Sequence, residues 1–332
     1  MFLLSFLACG GAPLPGVLYD DERLAVVDMH LHPGLWEDIP PSTQSYLAGN
    51  FPAPLSLIPD ALARSVLTGE GILGQLDEAG VSQGVLFAVY APRTVGIASN
   101  ELVIGELAAD PERLWGLASL RVDQWATDEE EELARLAEAL EAPGMIGVKL
   151  AHAHQHFRMD DPRLYSIYAL AAAYGAPVYL HTGSSPFPGT AQDAPYTDPS
   201  YLAEAVALYP DTIFILGHLG YDFRNREIGA FQACLDLAQA APNVFLEPSA
   251  LGSATSDPEQ VTLAAAYAAM REAGLVDRII YGSDGPQSPG FVAEYLERSI
   301  YAMEQAGYSA DEARAVLSGN FARTFAVPEV AL

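Results

Sequence analysis

Short apolar runs rich in β-branched residues alternate along this chain with longer segments of helical period, and that alternation restricts its fold more than any other feature. Eight such runs occupy residues 24–32, 84–90, 114–120, 146–151, 178–182, 213–219, 244–247 and 278–283. Helical segments lie between them, over 127–141, 161–174, 199–209, 228–240, 258–273 and 291–305. The first of these opens on Thr127-Asp128-Glu129-Glu130, which has capping-box spacing and an acidic first turn that suits the helix dipole. Strands separated by helices pair in parallel, and eight of them predict an α/β fold of the TIM (β/α)8 barrel type. The barrel is expected to be distorted, because residues 33–59 and 183–199 are too long for simple βα connections. Both segments would overhang the carboxyl-terminal face, the first as a lid. A doubly wound sheet, the competing fold, calls for a glycine-rich phosphate turn after its first strand. Here that position reads His30-Leu31-His32-Pro33, and the chain has no GxGxxG, no P-loop and no internal repeat.

Composition excludes several partners. Of 332 residues, 43 are acidic and 16 basic, a formal charge of −27 that repels phosphate backbones and anionic membranes. Half of the residues are hydrophobic and 18% charged, so the chain can bury a large core. The barrel is assigned to residues 24–327, with an N-terminal segment over 1–23 and a tail over 328–332. Cys9 and Cys234 are too few for a disulfide framework. The apolar run ending at Cys9 admits two readings: a lipoprotein signal with Cys9 as lipid anchor in the cell envelope, or an apolar terminus of a cytoplasmic protein. No stretch of about 20 apolar residues spans a membrane. The chain holds a single lysine, Lys149.

In a barrel of this type chemistry sits at the carboxyl ends of the strands. Five of the runs close on polar residues: Asp28, His30 and His32 on the first, Lys149 on the fourth, His181 on the fifth, His218 on the sixth and Asp284 on the eighth. Four of seven histidines thus fall at strand ends. Residues two apart on a strand point the same way, so His30 and His32 can clasp one metal, and Asp284 offers a carboxylate ligand that also handles a proton. His152, His154 and His156 follow the fourth run, where they read as a polar loop on the rim, a pocket lining, or an adventitious metal site. Arg224 and Arg226 are placed to grip a substrate carboxylate, or to form salt bridges. Trp36, Tyr46 and Phe51 in the first long loop, with Phe187 and Tyr196 in the second, offer an apolar wall.

Taken in order, His30-Leu31-His32, His181-Thr182-Gly183, Gly217-His218-Leu219-Gly220 and Gly282-Ser283-Asp284-Gly285-Pro286, with the closing segment 316–325, resemble the metal-dependent amidohydrolase superfamily. The match is to its amidohydrolase-related group, which includes decarboxylases similar to aminocarboxymuconate semialdehyde decarboxylase. The resemblance implies that His30, His32, His181 and Asp284 surround a divalent metal, with zinc expected. It implies that His218 orients or deprotonates the water that attacks, or joins a second metal. Lys149 is the ambiguous member. If carbamylated it would bridge two ions, with His181 and His218 on the second; otherwise one ion is present and Lys149 pairs with a carboxylate such as Asp28. The chain departs from the group's usual motif in having Ala151 in place of a histidine, while Gln155 keeps its place.

The expected function is hydrolysis of a C–O or C–N bond in a small organic substrate, an ester, lactone or amide, with Asp284, His218 and Lys149 as the catalytic set. Two alternatives stay open: a non-oxidative decarboxylase of an unsaturated or aromatic acid, and a lipid-anchored binding protein that has lost turnover. The sequence also leaves room for a homo-oligomer.

Overall fold

The computed structural model describes residues 15–50, 57–330 and 332. Cys9 and Phe51 lie outside them. Seven parallel strands form one curled sheet: β1 (Val27–Leu31), β2 (Gln83–Phe87), β3 (Leu114–Ala118), β4 (Met145–Leu150), β5 (Val178–His181), β6 (Phe214–Gly217) and β7 (Val244–Glu247). Each pairs with the next in chain order, and helices cover the outside. This is the distorted TIM barrel expected from the alternation, with one correction. The eighth run is not a regular strand. Residues 279–285 close the barrel through two isolated bridges, Ile279 beside Leu246 of β7 and Gly285 beside Leu31 of β1.

The reason lies in where its backbone donors go. Ser283 N donates to the Asp28 carboxylate at 2.9 Å, and Tyr281 N donates to Val316 O at 3.1 Å. Val316 sits in a single π-helical turn, Ala315–Gly319, whose wider spacing presents a carbonyl outward. Two donors that a ladder would need are therefore spent elsewhere. Asn320 completes the clamp, its Nδ2 donating to Val276 O at 2.8 Å and Ile279 O at 2.6 Å.

Two cores follow from the period-two alternation of the strands. Val27, Met29, Val85, Phe87, Leu117, Tyr179, Ile215 and Ile280 fill the barrel interior with Phe321 and Phe325, whereas Leu31, Leu86, Val148, Leu180 and Leu216 face the helices. Each such side chain contributes about 1.5–3 kcal/mol when fully buried. β1 departs from strict alternation: its register against β2 shifts between Asp28 and Leu31. From Met29 inward-facing, alternation alone would turn His30 outward; the bulge reverses the parity and aims it at the axis.

The remaining differences from expectation are local. The helix expected from 127 begins at Trp125 and runs to Glu141, with Gln124 at its cap, so there is no capping box at Thr127. Trp125 is drawn in because its indole N–H donates to Arg163 O at 2.8 Å, and Thr127 Oγ1 donates back to Gln124 O instead of capping. Among the described residues, the first long loop holds a 3-10 turn, Trp36–Asp38, and an α-helix, Pro41–Asn50. Residues 17–24 form a hairpin whose Tyr19 is buried and donates to Tyr308 O at 2.9 Å, so this part of the N-terminal segment packs on the barrel. No helix among the described residues is long and apolar enough to cross a membrane.

Candidate metal centre and active site

The bulge in β1 and the irregular eighth segment bring three atoms together. His30 Nε2 lies 3.0 Å from His32 Nε2, and Asp284 Oδ1 lies 3.1 Å from the first and 3.0 Å from the second. Asp284 has a left-handed backbone (φ 68°), and its N–H donates to His30 O at 3.0 Å, which fixes the carboxylate against the strand it faces. Three lone-pair atoms this close repel one another unless a cation or a shared proton lies among them. Burial holds His30 well below the usual imidazole range, with the Lys149 charge adding to it, so His30 is neutral and its lone pair available. Burial works against ionisation of Asp284, but the hydrogen bond from His32 and the neighbouring His218 outweigh it, and its carboxyl is lowered.

His181 ends β5, level with Gly217 and, across it, with Glu247. Its Nε2 is buried without a hydrogen-bond partner among the described residues, and burial and His218 hold it well below the imidazole range. Its ring stands 4.5 Å from that of His218 and 5.0 Å from that of His154, and it does not join the 4.8 Å cluster of His30, His32 and Asp284. His218, left-handed at φ 61°, is lowered to about 4 by burial, with Asp284 pulling it up. A neutral His30 imidazole, a depressed carboxylate and an orphaned buried nitrogen suit a divalent cation, and zinc or manganese accepts that donor set.

Lys149 is buried with its amine 4.0 Å from the Tyr179 ring centroid and 4.9 Å from that of Phe87. It makes no ion pair among the described residues, and the expected alternative of a Lys149–Asp28 salt bridge is overturned. Asp28 instead accepts from Ser283 N and from His30 N at 3.1 Å. Burial lowers Lys149 to about 7, with Asp284 and Glu247 opposing.

The rim reading of the histidine-rich stretch fails for two of its three members. His152 and His154 are buried on the short helix His152–Gln155, and only His156 is exposed. Gln155 explains the burial: it accepts from Ala151 N and donates to Leu120 O, both at 2.8 Å, tying the helix down onto β3 and β4. Phe187 meets both His154 (6.0 Å) and Tyr46 (5.3 Å), so the two long loops touch over the site. Thr43 is bonded to Thr94 O, anchoring the lid. Trp36 is half-buried, and its carbonyl accepts from Gln44 at 2.6 Å. Arg224 and Arg226 are exposed in the turn after β6, and neither guanidinium forms an ion pair among the described residues. A cavity of about 520 Å3 lined by Trp125, Phe157, Arg158 and Tyr196 lies on this rim, beside and not at the cluster.

Sequence reasoning passed over three residues. Glu247 ends β7 fully buried, 3.3 Å from His30 Nδ1, and burial pushes it up to about 8 against hydrogen bonds from Ser249 and Tyr179. The polar-strand-end criterion that found Asp284 applied equally to Glu247. Tyr179, two residues before His181 on the same inward face, was likewise legible; Ser249, beyond the strand, carried no signal.

A parallel barrel whose first-strand His-x-His pair meets an aspartate from the eighth position is an arrangement of the amidohydrolase type. The chain belongs to the amidohydrolase family, whose model matches residues 27–327, and members of this family are metal-dependent. No curated protein matches it by sequence. Among solved structures, a TIM-barrel protein of Bordetella bronchiseptica is 22% identical with a TM-score of 0.68, covering 91% of this chain and 99% of its own. A probable 2-pyrone-4,6-dicarboxylic acid hydrolase of Acinetobacter baumannii, with citric acid bound, is 19% identical with a TM-score of 0.60 over 91% and 100%. A dihydroxybenzoic acid decarboxylase of Polaromonas sp. JS666, with bound manganese and the inhibitor 2-nitroresorcinol, is 18% identical with a TM-score of 0.62 over 92% and 97%. At these identities the likeness is one of fold.

Proposed function

We propose that the protein is a metal-dependent hydrolase cleaving a C–O or C–N bond of a small ester, lactone or amide. The observation that carries this reading is the triangle of His30 Nε2, His32 Nε2 and Asp284 Oδ1, closed to about 3 Å on every side. These three residues would hold one Zn2+, with the orphaned Nε2 of His181 as a further donor. When bound, a divalent cation lowers the pKa of a water toward neutrality and polarises a carbonyl. Asp284 stays ionised in this setting and takes the proton of the attacking water, then returns it to the leaving group. Its other oxygen accepts from Gln287 at 3.1 Å, which steadies the carboxylate between the two tasks. His218, neutral and with Nδ1 occupied by Ser249, keeps Nε2 for orienting that water.

His30→Ala is expected to lose both metal and activity, and Asp284→Asn to lose turnover. Metal-dependent turnover retained in Asp284→Asn would sink the acid/base role. A second reading, non-oxidative decarboxylation, is favoured by the similarity to the manganese-containing decarboxylase. A panel of lactones, esters, amides and hydroxybenzoates decides, since acid release without CO2 supports hydrolysis and CO2 release supports the second reading. The unpaired amine of Lys149 supports a two-ion variant with Lys149 carbamylated. Metal stoichiometry fixed at one per chain with and without bicarbonate would exclude it.

A further inference from the structure

We propose that Glu247, with Ser249, sets the ring tautomers of His30 and His218 together, leaving Nε2 of both rings free of hydrogen. Glu247 would thus be a positioning residue for the metal ligand and the water-orienting imidazole at once. This rests on the proposed roles of those two histidines.

Counting protons at the node carries the argument. Glu247 Oε2 accepts from the Ser249 hydroxyl at 2.8 Å and from the Tyr179 hydroxyl at 3.1 Å, while Oε1 faces His30 Nδ1 at 3.3 Å. Backbone N–H groups of His218 and Ser249 approach Oε2 at 3.4 Å. Each hydroxyl has one proton, and both spend it on the carboxylate, so both oxygens can only accept from the rings beside them. His30 Nδ1 stands 3.0 Å from the Tyr179 hydroxyl and 3.1 Å from that of Ser249, so it must donate. His218 Nδ1 stands 2.9 Å from the Ser249 hydroxyl and 3.3 Å from the Ser249 carbonyl, which can only accept, so it donates too. With hydrogen on both Nδ1 atoms, both Nε2 atoms carry lone pairs, and His30 Nε2 is the atom in the triangle. Outer-layer carboxylates act in this way on metal-bound histidines.

Two glycines show that space is kept for the node. A Cβ at Gly282 would overlap Glu247 Oε1 and stand 2.9 Å from His30 Cβ, and a Cβ at Gly217 would overlap the Tyr179 hydroxyl.

The test is made on metal-free protein labelled with 15N-histidine, at pH 9. Imidazole 15N shifts are expected to show His30 and His218 protonated at Nδ1. In Glu247→Gln the amide brings extra protons to the node, so at least one ring should move its hydrogen to Nε2, and metal affinity should fall roughly 10–100-fold. Glu247→Asp, which keeps a carboxylate, should recover part of both. A folded Glu247→Gln protein with both rings unchanged and wild-type metal affinity would overturn the proposal. If Glu247→Gln does not fold, the wild-type protein carries the test: a hydrogen found on Nε2 of either His30 or His218 would overturn the proposal. Because the tautomers are read without metal, a wild-type chain that binds no ion refutes the metal reading and not this one.

Discussion

His152 offers the sharpest test of the burial argument, because burial dominates its shift and only Lys149 adds to it. It is fully buried against Phe157, with ring centroids 4.2 Å apart, and neither ring nitrogen has a hydrogen-bond partner among the described residues. Burial, reinforced by Lys149, lowers it from 6.5 to about 3. Between those values the unfolded chain binds a proton that the native state refuses, so stability rises with pH in this window and is lost as pH falls through 6.5. At pH 5 the unfolded residue has gained about 1.5 pH units of protonation free energy, or roughly 2 kcal/mol, while the native ring is still neutral. His152→Leu removes this contribution. At pH 7.5 both rings are neutral, and exchanging an unpartnered imidazole for an apolar side chain of similar size costs little. The stability difference between variant and wild type, measured by urea denaturation of the metal-free proteins, should therefore move by about 2 kcal/mol in favour of the variant between pH 7.5 and pH 5. Other buried carboxylates and histidines shift both proteins alike and cancel in the difference. A stability difference independent of pH would refute the argument, since it would mean the native ring is charged or partnered.

Three further outcomes are expected. Gly282→Ala forces a methyl onto Glu247 and His30, and should cost about 1–3 kcal/mol of stability together with a loss of metal affinity; calorimetry and chelator competition check the two, and unchanged metal binding counts against the packing described. Asn320→Ala strips a donor from two buried carbonyls of the barrel closure and should destabilise by roughly 2–5 kcal/mol, whereas a loss under about 1 kcal/mol in urea would show that the clamp is not what closes the barrel. Tyr46→Ala removes the lid contact with Phe187 and should raise KM more than it lowers kcat; equal KM values would show that the lid does not cover the substrate.

The barrel was legible because its regular parts obey one rule each. Short β-rich apolar runs gave β1 to β7, and the helix Phe291–Gln305 fell where its apolar period placed it. His30, His32 and Asp284 were legible as polar residues at ends of apolar runs, where burial without a partner would be costly. The errors came where tertiary contacts overrode a local signal. Thr127 has a capping sequence, but Trp125 had a partner 38 residues away that the sequence does not reveal. His152 and His154 looked like a rim loop because alternating polar residues usually are one; Gln155, bonded to Leu120 and Ala151, pulls them inward. Arg224 and Arg226 form no ion pair among the described residues, so the salt-bridge alternative for them is not met.

Irregular backbone gathers at the proposed site residues, and this explains why a barrel prediction does not by itself give the geometry of the site. A regular β1 would have sent His30 to the outer side; the bulge between Asp28 and Leu31 turns it inward. A regular eighth strand would have spent Ser283 N and Asp284 N on ladder partners in sequence; instead Asp28 takes the first and His30 O the second. That exchange holds Asp284 at φ 68°, in a region that L residues other than glycine occupy at some cost. His218 and Leu219 sit there as well, at φ 61° and 52°, immediately beyond β6. Asp28 is therefore a structural link of the site although it faces no substrate: its one carboxylate oxygen joins the first strand to the eighth segment at His30, a proposed metal ligand, and at Ser283, the neighbour of Asp284. Burial pushes Asp28 up to about 6, and its bonds to Ser283 and His30 are what keep it from rising further. Asp28→Asn exchanges that acceptor for a group that is half donor, so it should loosen Asp284 from His30 while leaving all three proposed ligands in the chain.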